Sequence, residues 1–336
     1  MFSSDRRILV IGGAGYIGLI LVRLLLESGY SVRVLDNLLY GNGGAIAELY
    51  ENSLFDFIRG DFCDRRILER CLNGVSDVIL LAALVGDPLC KKYPDEARRI
   101  NDTGTIALID SLKGLKLDRF VFMSTCSNYG LREDDTPADE NSSLKPLSLY
   151  AETKVNVEKY ILDNPGCFNF TPIILRCATA FGISPRMRFD LTVSEFTRQL
   201  ALGRELVVYD ENTWRPYCHI RDISQAIKAV LEAPREKIAG EIFNVGSNKA
   251  NFTKKMLVDL ILKRFPQGEV QYQKGGRDAR NYRVNFDKIA ASLNFKAKYD
   301  IPEAIDKLAE AIEGGLYDDV ETRHHYYGNY TLESNS

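Results

Sequence analysis

Tyr150 and Lys154 stand four residues apart in Tyr150-Ala151-Glu152-Thr153-Lys154, at the opening of a helical pattern. At that spacing the two side chains share one helix face, a single turn apart. An ammonium beside a phenol favours the phenolate, which predicts a Tyr150 hydroxyl below the usual tyrosine pKa of about 10. Such a tyrosine can take a proton from a substrate hydroxyl while hydride leaves the same carbon for a nicotinamide ring. A second hydroxyl is at hand in Met123-Ser124-Thr125-Cys126-Ser127-Asn128-Tyr129-Gly130, just after a buried-looking apolar run. There Thr125 can hold the reacting oxygen by a hydrogen bond. Thr125, Tyr150 and Lys154 are therefore the candidate catalytic residues, with Tyr150 and Lys154 also placed to meet the cofactor.

Hydride chemistry needs a dinucleotide, and the N-terminus offers one a seat. The first apolar run ends in Gly12-Gly13-Ala14-Gly15-Tyr16-Ile17-Gly18, with glycines at 12, 15 and 18. The first allows a tight turn, the second lets backbone amides approach a pyrophosphate, and the third lets a helix pack close to the sheet. Tyr16 and Ile17 complete that turn. Asp36, followed by Asn37, ends the next apolar run about 20 residues on, where a carboxylate accepts bonds from ribose hydroxyls and repels a 2′-phosphate. This favours NAD over NADP. Asp61-Phe62 can meet the adenine, and the small residues of Leu81-Ala82-Ala83 leave room for the cofactor backbone.

The elements that would position these groups alternate along the chain. Runs at 7–11, 31–36, 55–59, 77–81, 119–123 and 172–176, rich in Val, Ile, Leu and Phe, read as buried strands. Helical patterns at 16–28, 64–72, 94–112 and 148–162 lie between them, which predicts a parallel, doubly wound α/β sheet. A polar loop carries Glu133-Asp134-Asp135. After Gly182 the texture changes, with a late strand at 241–245, a helix after Asn251-Phe252-Thr253 and a last helix at 302–312. The expected organisation is a dinucleotide domain over 1–182 with returning segments near 215–250, then a smaller mixed α/β domain over 183–320. Residues 321–336 follow as a polar tail, frayed from 324 onward.

Composition bounds the partners. Apolar residues make up 45% and charged residues 26% of 336, the balance of a globular protein. A net charge of −3, with both signs mixed along the chain, argues against nucleic acid or an anionic membrane. No apolar run is long enough to span a bilayer, and residues 1–7 lead directly into a strand with no signal-like segment. Seven cysteines without a Cys-x-x-Cys pair, and three histidines, argue against a zinc site and fit a reducing cytoplasm.

Further segments complete a pattern. Gly60-Asp61-Phe62-Cys63-Asp64, Asn101-Asp102-Thr103-Gly104-Thr105, Ile174-Leu175-Arg176 with Phe181-Gly182, Trp214-Arg215-Pro216-Tyr217-Cys218-His219-Ile220-Arg221-Asp222 and Phe243-Asn244-Val245-Gly246 occur in that order. Together with the glycine turn and the Thr/Tyr/Lys set, they make residues 7–312 resemble the extended short-chain dehydrogenases/reductases. Within these, the likeness is to the nucleotide-sugar epimerase/dehydratase family of the UDP-galactose 4-epimerase type. The resemblance implies a Rossmann fold, NAD as cofactor and a nucleotide-diphosphate sugar as substrate. It also implies a homodimer packed through the 94–112 and 148–162 helices. It assigns Asn101 to the cofactor side, and Arg215 with Arg277 or Arg280 to the diphosphate.

The departures bear on the reaction. Sugar 4,6-dehydratases carry Asp-Glu after the catalytic threonine, whereas Cys126 and Ser127 stand here, which disfavours dehydration. Thr179 replaces the family's substrate-contacting Asn, and Ser184-Pro185-Arg186-Met187-Arg188 offers Arg186 and Arg188 to phosphate or sugar, or else is a solvated basic loop. The expectation is a redox-neutral epimerase working by transient C4 oxidation. A net 4-dehydrogenase or 4-ketoreductase is the alternative, and a non-catalytic NAD-binding protein is a remote one.

Overall fold

Apolar residues fill the short strands because a central parallel sheet is covered by helices on both faces. The computed structural model describes residues 6–132, 136–276 and 278–332, so Glu133-Asp134-Asp135 and Arg277 lie outside the described residues. Chain order is β1 (Arg7–Ile11), α1 (Gly18–Glu27), β2 (Ser31–Asp36), β3 (Phe55–Arg59), α2 (Arg65–Leu72), β4 (Asp77–Leu80), α3 (Asp87–Lys92), α4 (Pro94–Arg98) and α5 (Gly104–Leu112). Then come β5 (Arg119–Thr125), α6 (Leu149–Leu162), β6 (Thr171–Cys177), β7 (Thr179–Phe181), α7 (Thr192–Ala201), β8 (Leu206–Tyr209), β9 (Trp214–His219) and α8 (Ile220–Glu232). The rest is β10 (Ile242–Val245), β11 (Asn251–Thr253), α9 (Lys254–Arg264), β12 (Val270–Gln273), α10 (Asp287–Leu293) and α11 (Ile301–Glu313).

Seven strands form one parallel sheet in the order β10-β6-β5-β4-β1-β2-β3. Strand order reverses between β1 and β4, where open α/β sheets leave a crevice at the carboxyl ends of their strands. Alternate residues of β1 feed separate cores: Ile8 and Val10 pack with α1 and α8, Leu9 and Ile11 with α2, α5 and α6. The second half returns twice to this layer, since α8 packs on α1 and β10 pairs with β6. Beyond it lie a three-stranded sheet, β11-β9-β7, and a two-stranded one, β12-β8. There α7, α9 and α11 pack around Phe196, Leu257, Ile261 and Ile305.

Four expectations need correction. Residues 15–17 belong to the glycine turn, so α1 begins at Gly18 rather than Tyr16. The 94–112 helix is interrupted by a π turn at Arg99–Thr103, one residue wider than α, which re-aims the side chains around Asn101. Asn251–Thr253 is itself a strand on β9, and the Thr253 hydroxyl then caps α9 by accepting from the Met256 amide at 3.1 Å. The tail is not frayed through Leu332. Tyr317 and Tyr327 bury against Phe189 and Met187, and the Phe189 amide donates to the Tyr327 carbonyl at 2.8 Å. Aromatic surface on an otherwise polar segment supplies the packing that its polarity hid.

Candidate active site

The site begins where β1 ends. Gly12 has φ +86°, and a Cβ there would sit 2.5 Å from the Ala82 nitrogen, while one on Gly18 would sit 2.4 Å from the Gly12 carbonyl. Only glycine permits this crossing of β1, β4 and α1, which points the α1 N-terminus into the crevice. Asp36 braces the same turn: its Oδ2 accepts from the Ala14 amide at 3.1 Å and its Oδ1 from the Leu38 amide at 2.9 Å. Burial raises the Asp36 carboxyl, and those two amides oppose the shift.

A cavity of about 1080 Å³ opens here, lined by Gly12, Gly15, Tyr16, Ile17, Gly18, Asp36, Asn37, Asp61, Phe62, Leu81, Ala82 and Ala83. The dinucleotide candidates thus share one cavity, except Asn101, and Tyr150 and Lys154, which line the neighbouring one. Asp61 also pairs with Arg99 at 2.9 Å, so its carboxylate is already engaged. Asn101 does not line the cavity; it accepts from the Leu84 amide at 2.7 Å and donates to the Leu84 carbonyl at 2.9 Å. Its role is to fix the chain after β4, because the π turn aims it at that backbone. Tyr40 and Asn42, in the loop after β2, also line this cavity, as does Asn329, which nothing in the sequence pointed to. Asp36→Ala is expected to weaken NAD and narrow its advantage over NADP, since both bonding and repulsion disappear. Titration of both cofactors checks this, and an unchanged affinity ratio would show that Asp36 does not read the ribose.

A second cavity, about 2010 Å³, shares a wall with the first through Ile17, Leu81, Ala83, Val85, Met123, Ala180, Arg188 and Asn329. Thr125, Tyr150, Lys154, Thr179, Arg188, Arg215 and Arg280 all line it. Ser148 caps α6 by accepting from the Ala151 amide at 3.3 Å, so Tyr150 enters the cavity from the first helical turn. β5 extends to Thr125, whose Oγ1 accepts from the Ser127 amide at 3.1 Å and keeps its O–H to donate.

The Tyr–Lys pair differs from expectation. Lys154 Nζ donates to the Met123 carbonyl at 2.9 Å and stands 5.9 Å from the Tyr150 ring centroid. Burial pulls Lys154 down to about 8, and burial, then Cys90 and Asp87, push the Tyr150 phenol up. Lys154 is buried and Tyr150 half-buried, and desolvation disfavours each ionised form more than their separation rewards it. The lysine alone therefore does not deliver a phenolate.

Beneath Thr125 lies a network with no sequence signal at its centre. Arg176 bonds Glu158 through Nε and Nη2 at 2.6–3.1 Å, with both side chains at most 3% exposed. Ser124 and Asn128 also donate to Glu158, and Tyr129 links Arg176 to Asn244.

At the far end Arg215 reaches Asp278 at 2.8 Å, and Arg280 holds the same carboxylate through two 2.8 Å contacts. Burial raises Asp278, but the Arg280 bonds and the Arg215 charge outweigh it and hold the carboxyl well below the usual range. Arg280 also pairs with Asp87 at 2.9 Å, so the two forked guanidiniums face two carboxylates, and a diphosphate would bind them in competition with those pairs. Arg188 is paired with Asp190 at 2.6 Å on the wall between the cavities. Arg186 is a correction. It lines the dinucleotide cavity rather than the second one, with its guanidinium 4.3 Å over the Tyr40 ring.

Residues 8–246 match the model of the NAD dependent epimerase/dehydratase family. The chain belongs to that family. It is 31% identical to the UDP-glucose 4-epimerase of Halalkalibacterium halodurans over 269 residues, 74% of this chain and 78% of that one. It is 29% identical to the dTDP-glucose 4,6-dehydratase of Streptomyces niveus over 318 residues, 91% of this chain and 92% of that one. The fold is similar to UDP-glucuronic acid 4-epimerase from Bacillus cereus, solved with UDP-glucuronic acid and NAD. That match has a TM-score of 0.83 and 26% identity, and covers 92% of this chain and 99% of that one. Members of this epimerase/dehydratase family use NAD, and the glycine turn, Asp36 and the apolar Phe62–Leu81 wall fit its phosphates, ribose and adenine. Among the described residues no helix is long and apolar enough to cross a membrane.

Proposed function

We propose that the protein is an NAD-dependent epimerase of a nucleoside-diphosphate sugar, acting by transient oxidation at C4. The carrying observation is that Thr125, Tyr150 and Lys154 line a cavity continuous with the dinucleotide cavity, while Arg215 and Arg280 stand together in the same cavity. In this reading Arg215 and Arg280 bind the diphosphate, which fixes the distance from anchor to reacting carbon. As phenolate, favoured by the Lys154 ammonium together with the positive nicotinamide that bound NAD would add, Tyr150 takes the proton of the C4 hydroxyl, becomes the phenol, and returns the proton after the sugar has turned. The Thr125 O–H donates to the C4 oxygen, and the Met123 carbonyl holds Lys154 in place. NAD, when bound, accepts and returns hydride at C4.

Dehydration is disfavoured by the residues after Thr125. The Cys126 thiol is buried, donates to the Arg176 carbonyl at 3.1 Å and is pushed well up by burial, so it is no acid/base catalyst. Ser127 accepts from Arg280 at 2.9 Å and takes part in the anion end instead. A homodimer through α4, α5 and α6 remains part of the proposal, on the family resemblance alone.

The test incubates purified protein with UDP-, dTDP-, GDP- and CDP-sugars and no added NAD. A C4 epimer of unchanged mass supports the epimerase. A stoichiometric 4-keto sugar that goes no further would replace it with the 4-dehydrogenase, and a product lighter by one water with a dehydratase. Arg215→Ala should raise the dissociation constant of the matching nucleoside diphosphate by roughly 10–150-fold, the value of a lost charge-assisted contact of about 1.5–3 kcal/mol. NAD affinity should stay within a few-fold, and calorimetry with both ligands reads the difference. Equal weakening of both would point to a disturbed fold.

A further inference from the structure

Beyond α11 the chain turns back and lays residues 324–332 across the seam between the two cavities. Asn329 lines both cavities, and Tyr330 lines the second. His325 sits against the loop that follows β2. Its Nε2 is 3.1 Å from the Leu39 carbonyl and its ring 5.3 Å from that of Tyr40, and both of those residues line the dinucleotide cavity.

Asn329 ties two further segments together, the loop after β7 and the chain after β4. Its Oδ1 accepts from Arg186 at 2.8 Å, its Nδ2 donates to the Val85 carbonyl at 3.4 Å, and its backbone N–H bonds the Asp190 carboxylate. Arg186 also donates to the Gly328 carbonyl at 3.2 Å. At the end of the described tail, Leu332 packs in the cluster that contains Tyr150 and Leu149. Loops after β2, β4 and β7 are thus joined by one segment, and these loops form much of the rim a dinucleotide would pass on leaving.

Arg186 adds an independent cue. It is 2% exposed, and its Nε has no hydrogen-bond partner. Among the described residues no carboxylate pairs with it. A desolvated guanidinium is costly to hold unless its geometry is fixed and an anion faces it. The tail fixes the geometry, and the cavity belongs to a cofactor that carries phosphates.

We propose that residues 324–332 are a retaining strap. They bridge the three loops, slow the escape of NAD, and use Asn329 as a positioning residue for Arg186 and Asp190 where the two cavities join. This rests on the family's cofactor and not on which sugar reaction follows. Among the described residues no hydrogen bond joins the strap to Gly12, Gly15, Gly18 or Asp36, so its loss should speed release with little change in which dinucleotide is preferred.

The experiment loads the full chain with NAD and follows its release by displacement. The parent is compared with the double variant His325→Ala/Asn329→Ala and with a chain ending at Arg323. Release from both variants should be roughly ten-fold faster or more, since several neutral and charge-assisted bonds are lost. Affinity for the matching nucleoside diphosphate should match the parent's in the double variant. Release within two-fold of the parent in the double variant overturns the proposal, as does equal weakening of NAD and nucleoside diphosphate. If the shortened chain does not fold, because Tyr327 leaves the core with the tail, the double variant alone decides.

Discussion

Tyr150→Phe is expected to lower turnover by a hundred-fold or more while NAD and nucleotide-sugar binding stay within a few-fold. The substitution removes one oxygen and leaves the ring packed against the cluster of Leu84, Leu89, Cys90 and Ala97. Lys154 keeps its bond to the Met123 carbonyl, so the helix and the cavity wall are undisturbed. What disappears is the group that moves the C4 proton, and general acid–base catalysis is typically worth about 10²–10⁴-fold. The check is the rate constant at saturating substrate, measured with the sugar that the parent protein turns over. A variant that retains near-parental rates would place the base elsewhere.

Glu158→Ala should be the most destabilising of the single changes considered, by about 3–5 kcal/mol, the cost of leaving one partner of a buried ion pair uncompensated. Arg176 would keep its charge in a region where its side chain is 3% exposed, and Ser124 and Asn128 would each lose an acceptor. Chemical denaturation of NAD-free protein measures the loss. The double variant Glu158→Leu/Arg176→Met separates charge from packing and should recover most of it, because apolar replacements of both partners are often neutral. A loss under about 1 kcal/mol in the single variant would mean that water reaches Arg176 and that the network does not support the Thr125 end of β5.

Much of this site was legible because its groups sit at strand ends. Asp36, Asp61, Ala82 and Thr125 each follow an apolar run, and a parallel sheet brings such ends to one edge whatever the loops do. The glycine spacing was equally informative, since Gly12 and Gly18 occupy places where a Cβ would strike backbone. What stayed hidden depends on side-chain direction. A π turn does not show in a 3.6-residue period, so the way Asn101 serves the cofactor side, by clasping Leu84 in the cavity wall, stays hidden in the sequence. Glu158 reads as one more polar residue on a helix, and nothing nearby in sequence announces Arg176 as its partner. Arg186 and Arg188 are two residues apart yet serve different walls, a distinction set by where the tail and the loop after β2 run. The tail itself was misread because aromatic residues in a polar context carry no periodicity.

The pairing of β10 with β6 has a consequence for how the molecule is made. β6 emerges from the ribosome well before Val245, and its Ile173, Ile174 and Leu175 present an unpaired, apolar edge in the meantime. At about 5–20 residues per second the nascent chain spends roughly 3–14 s in that condition. A gene fragment stopped near residue 182, where the texture of the sequence changes, would remain in it permanently. Such a fragment would keep the glycine turn, Thr125, Tyr150 and Lys154, and should still accumulate in inclusion bodies rather than as a free NAD-binding unit.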